Sequence, residues 1–70
     1  MTSKYEIIIW WSEEDDAFIA EVPELPGCNA HGPTYEDAIR EVQVVVDAWI
    51  EIANEQGEPI PVPKGRLMFA

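Results

Sequence analysis

Cys28 and His31 stand close in the sequence, and a thiol beside an imidazole can form a nucleophile–base pair. Their spacing works against it, because residues three apart in an extended segment point to opposite faces. The chain has one cysteine and one histidine, so a metal site built on several converging soft ligands is not expected either. Fourteen Asp and Glu residues offer many candidate proton-transfer groups. Acid–base work needs a cleft that perturbs a pKa, however, and these residues fall in expected turns or on the polar face of an expected helix. The four glycines stand apart from one another, so no phosphate-cradling loop exists. No catalytic, cofactor-binding or metal-ligating residue is assigned, no cofactor is implied, and an enzyme is not expected. Cys28 reads as a small buried residue after a turn, and His31 as a structural residue at the entry to the helix.

Binding is the remaining kind of function. Trp10 and Trp11 are adjacent, so strand alternation sends them to opposite faces and only one can enter a single core. The other is expected either under a second layer or at an interface, where tryptophan is enriched, and the interface is favoured over an isolated exposed tryptophan. Fourteen acidic against four basic residues give a net charge of -10 and a pI near 4.1. Unaided contact with a nucleic acid backbone depends on Lys and Arg and is not expected. The chain is not an acidic disordered segment, since 47% of its residues are hydrophobic. A chain of 70 residues buries only about 60% of its unfolded surface, and a lone cysteine cannot staple it. Support from a partner subunit is expected, in a homo-oligomer that is a dimer or a tetramer. No secretory or membrane-spanning stretch is legible, and an unpaired cysteine fits a reducing compartment; a cytoplasmic location is expected.

The elements that must position these residues read clearly. Residues 5–12 are β-branched and aromatic and form a strand. Tyr5, Ile7, Ile9 and Trp11 share one face; Glu6, Ile8, Trp10 and Ser12 share the other. Glu13, Glu14, Asp15 and Asp16 make a solvated hairpin tip. Residues 17–22 return, with Phe18, Ala20 and Val22 on one face and Ile19 and Glu21 on the other. The run Pro23-Glu24-Leu25-Pro26-Gly27 is a turn, with Leu25 as an apolar plug. Residues 28–31 form a short edge strand closed by Gly32-Pro33. Residues 34–56 are helical, with Thr34 as cap, Glu36 and Asp37 in the first turn, and Gly57 as stop. Ala38, Val42, Val45, Trp49 and Ile52 make the expected core stripe, and Ile39, Val46, Ile50 and Ala53 a second apolar set beside it. The alternating prolines of 59–63 suit an edge strand, with Ile60 and Val62 pointing together. The order is β-β-β-α-β, an antiparallel sheet with one helix packed on a face, of the α+β class. Residues 4–63 form the domain, and 64–70 a tail.

The run Tyr5-Glu6-Ile7-Ile8-Ile9, the acids after it, and Ala17-Phe18-Ile19-Ala20-Glu21-Val22-Pro23-Glu24-Leu25-Pro26-Gly27-Cys28 are similar to the HicB family of type II toxin–antitoxin systems. The resemblance continues through Gly32, Thr34, Glu36 and Ala38, and through Gly57, Pro59 and Pro61, while Pro33 stands where the family pattern has an acid. It implies a partial ribonuclease-H-like fold without that fold's nuclease chemistry. It also implies an antitoxin that neutralises a small basic HicA-type mRNA-cleaving toxin. Many such antitoxins carry a further DNA-binding domain, for which the seven residues after Pro63 are too few, so promoter binding is not expected. The alternative is a solo module of this fold with no toxin partner and no catalytic activity. For a toxin, the expected contact residues are Glu13, Glu14, Asp15, Asp16, Glu24 and Leu25. For self-association they are Trp10, Ile39, Val46 and Ile50.

Overall fold

The structure is a computed structural model that describes residues 4–63. β1 (Ile8–Ser12), β2 (Ala17–Glu21) and β3 (Asn29–Gly32) form an antiparallel sheet in the order β1-β2-β3, followed by α1 (Tyr35–Gln56). This is an α+β fold with one helix layer on one face of a sheet. β1 pairs from Ile8, three residues later than its composition suggests, although Tyr5 is already buried. The tail from Lys64 onward, including Leu67, Met68 and Phe69, lies outside the described residues.

The helix starts where side-chain chemistry can satisfy its first turn. The Thr34 hydroxyl accepts from the Asp37 amide at 3.1 Å and donates to the Asp37 carboxylate at 3.0 Å. At the other end Gly57 adopts φ 69°, and the Glu58 amide closes on the Ala53 carbonyl at 2.9 Å, the paired bond of a left-handed stop. The helix buries Ala38, Val42, Val46 and Ala53, with Val45 and Trp49 partly buried beside them. Ile52, expected in the core, is 53% exposed. A row of four-residue steps drifts by about 40° per step around the helix, so it lies oblique to the axis and follows the sheet past Ile52. For the same reason Val46, expected on a self-associating flank, belongs to the core and can anchor no second chain.

Leu25 is fully buried at the centre of the core. Three main-chain bonds hold its loop closed: Leu25 to the Val22 carbonyl, Cys28 to that of Leu25, and Val22 to that of Cys28. Gly27 turns the loop at φ 77°, and the Trp49 indole N–H donates to the Pro26 carbonyl at 3.0 Å. The helix therefore runs back along β3 and locks the loop that precedes it. A plug buried this way is no contact for a partner, which removes Leu25 from the expected toxin surface.

No ladder includes residues 59–63. Proline at 59, 61 and 63 removes alternate amides, so one edge of the segment offers carbonyls alone. One of them is used: the Tyr5 hydroxyl donates to the Pro61 carbonyl. Ile60 is half-buried and Val62 is 75% exposed, so the two do not serve one face as expected. Burial and then the nearby Glu24 carboxylate push the Tyr5 phenol above its ordinary value of 10.0.

Two outcomes follow from this packing. A Cβ on Gly32 would stand 2.8 Å from the Ala38 amide nitrogen and 2.9 Å from the Asp37 carbonyl carbon, both main-chain atoms that cannot swing aside. Gly32→Ala should cost about 1–3 kcal/mol, seen as a lower urea midpoint at unchanged slope. The raised Tyr5 pKa means that the folded state keeps a proton the unfolded chain has lost. Its effect is absent below about pH 10 and destabilises as pH rises beyond it. Tyr5→Phe should lose about 1 kcal/mol at neutral pH yet flatten the fall in stability between about pH 9 and 11, measured by urea unfolding across that range.

Candidate partner-binding surface

Strand register decides which side chains share the uncovered face. Phe18, Ala20 and Val22 turn toward the helix, and Trp11, paired with Phe18, does the same. Its ring meets Phe18 edge-on at 5.0 Å, and Phe18 meets Tyr35 of the helix at 4.3 Å. Trp10 therefore points away, paired with Ile19, which pairs in turn with His31. A row Trp10–Ile19–His31 crosses the outer face, with Ile8, Glu21 and Asn29 as the next row. Trp10 is 43% exposed, although it stands in the middle of a paired strand. Trp10 and Ile19 form part of a shallow hollow of 410 Å³ whose rim carries Ser12, Glu14, Asp15, Glu21 and Asn29.

The hairpin acids are not equivalent. Glu14 and Asp15 border the hollow, and Asp15 is fixed by its amide and carboxylate on the Ser12 hydroxyl at 3.2 and 3.1 Å. Asp16 takes the left-handed φ of 52° that ends the turn. Glu13 instead accepts from the Trp11 indole N–H at 3.1 Å, so it serves the flank on the helix side. Glu24 is half-buried beside Tyr5 in the loop beyond the far end of β2, about 16 Å from the tip at the rise of a strand. The expected toxin residues thus divide into a tip set that meets Trp10 and a loop set that does not.

The expected self-association set divides as well. Trp10 lies on the outer face and Val46 in the core, while Ile39 and half-buried Ile50 share the helix flank with exposed Tyr35. Ile8, Ile19, Glu21 and Asn29 belong to the surface and were not singled out. Strand alternation gives their faces, but their position beside Trp10 depends on the register that the hairpin tip sets.

Cys28 is buried and burial pushes its thiol up, so it stays protonated near neutrality. His31 is exposed on the opposite face of the sheet, so the two side chains do not meet. Among the described residues no group of three or more His, Cys, Asp or Glu side chains could hold a metal ion, and no helix is long and apolar enough to cross a membrane.

Comparison with known proteins places this architecture among relatives named only by family. A UPF0150 protein of Synechocystis sp. is 39% identical over 57 residues, which cover 81% of this chain and 77% of the relative. One from Thermoplasma acidophilum is 36% identical over 58 residues, 83% of each chain, and one from Archaeoglobus fulgidus is 30% identical over 61 residues, 84% and 87%. No solved structure matches significantly. The profile described as UPF0150-like matches residues 2–61, nearly the whole described sheet and helix, and the chain belongs to that family.

Proposed function

We propose that this protein is a HicB-like antitoxin, which binds and neutralises a small basic HicA-type toxin through the outer face of its sheet. The observation that carries the reading is Trp10, exposed midway along edge strand β1 on the uncovered face and bordered by Glu14, Asp15 and Glu21. An aromatic anchor inside an acidic rim suits a basic partner: the ring supplies affinity and the rim steers encounter. The resemblance of the Pro23–Cys28 turn and helix start to HicB antitoxins supports the same reading. The net charge of -10 complements a toxin whose own surface must attract RNA.

The test is binding to a purified HicA-type toxin. Glu14→Gln with Asp15→Asn should slow association and flatten its dependence on salt, leaving dissociation nearly unchanged. Trp10→Ala should speed dissociation by roughly thirtyfold or more, as for an interface hot spot of about 2 kcal/mol. Failure to bind any HicA-type toxin offered would sink the proposal and favour a solo module of the same fold.

Self-association is part of the proposal and uses a different surface. Helix α1 lies over β3 and β2, which leaves Trp11, Tyr35 and Ile39 exposed on the side toward β1. A second copy would cover that flank. Sedimentation should give a species larger than 7.9 kDa at micromolar concentration. Ile39→Glu should shift it to monomer, whereas Asp47→Ala on the exposed polar side should not; a wild-type monomer under those conditions refutes the dimer.

A further inference from the structure

The third surface is the border of the sheet. β3 pairs with β2 on one side, and among the described residues no strand pairs with it on the other. The Val22 amide donates to the Cys28 carbonyl at 3.0 Å. Bonded pairs alternate along an antiparallel ladder, so in this phase they fall at Ala20–Ala30 and Phe18–Gly32. The main-chain N–H and C=O of Asn29 and His31 therefore turn outward. Beside them runs a groove of 670 Å³ between β3 and the near flank of α1, walled by Asp37, Glu41 and Val45 and closed at one end by Pro33.

The spacing of that wall matches a strand. Four-residue steps along a helix advance about 6 Å, and two residues of a strand about 6.6 Å. The helix runs back along β3, since Gly32 abuts Asp37 and Ala38 while Trp49 reaches Pro26. We propose that the outer edge of β3 takes up an extended basic segment of another protein by strand addition. The segment runs antiparallel to β3 and is read as cation–x–cation–x–apolar by Asp37, Glu41 and Val45. The Asp37 carboxylate is bridged by Arg40 at 2.8 Å on the surface, and an exposed pair of that kind yields readily to a competing cation. A second copy of this chain is the poorer occupant: twofold pairing of β3 with itself would bring Glu41, at the middle of the wall, against its own counterpart and offer Asp37 no cation. The groove shares Asn29 and His31 with the Trp10 face but uses their main-chain edge and the helix wall, so readouts at Asp37, Glu41 and Val45 keep failure here distinct from failure of the antitoxin reading.

The test titrates the ¹⁵N-labelled protein with the acetylated, amidated hexapeptide Lys-Thr-Lys-Thr-Val-Thr. Saturable shifts and slowed amide exchange are expected at Asn29 and His31, with shifts along Asp37, Glu41 and Val45 and none at Trp10. N-methylation of the peptide's second and fourth residues, whose amides would face β3, should weaken binding at least about tenfold, and Glu41→Lys should do the same. His31→Pro removes the outward amide and leaves the ladder to β2 in place, so it too should abolish binding; if that variant unfolds, the N-methylated peptide carries the comparison. Equal affinity for the N-methylated peptide, equal affinity for the version with Glu in place of Lys, or shifts confined to the hairpin tip would each overturn the proposal. Contacts between β3 strands of two copies in the protein alone would overturn it as well.

Discussion

One helix can cover one face of a sheet, and much of this protein follows from that limit. The covered face is small, with Ala20, Val22, Ala38, Val42 and Val46 in contact across it. A core of such short side chains leaves room for a filler from outside the regular elements, and Leu25 in the β2–β3 loop supplies it. That loop is therefore part of the core rather than a surface connection, and the Trp49–Pro26 hydrogen bond fixes it to the helix. The uncovered face keeps its own apolar residues, Ile8, Trp10 and Ile19, because β1 and β2 alternate apolar residues onto both sides.

The order of elements was legible from local chemistry. Thr34, Asp37 and Gly57 mark the helix ends by the atoms they bond, and four acids in a row can only sit in water. Positions that depend on how elements cross were less legible. Ile52 and Val46 have the same kind of side chain and similar spacing, and only the oblique path of the sheet across the helix tells them apart. The proline segment was read as a strand from its extended conformation, yet a ladder needs donors that proline lacks.

The candidate surface was half visible in the same way. Two adjacent tryptophans must face opposite ways, and alternation with the buried Ala20 and Val22 puts Trp10 on the outer face; Trp11, on the helix side, is nonetheless exposed as well rather than in the core. The sequence could not separate Glu13 from Glu14, which differ in whether they meet the Trp11 indole or the Trp10 face. Nor could it show that Leu25, conspicuous in its turn, is spent on the interior. Prominence in a motif and access to a partner are different properties, and only packing distinguishes them.

The bond between Tyr5 and the Pro61 carbonyl joins residues 56 apart, while the sheet and helix are built from neighbours in the chain. Closing short segments costs little entropy, so hairpin, third strand and helix can form in succession before the two ends meet. The clasp, made across the longest separation in sequence of the side-chain bonds described, then forms last. Residues 59–63 thus make a latch that closes on the helix side of the sheet, opposite the face that carries Trp10.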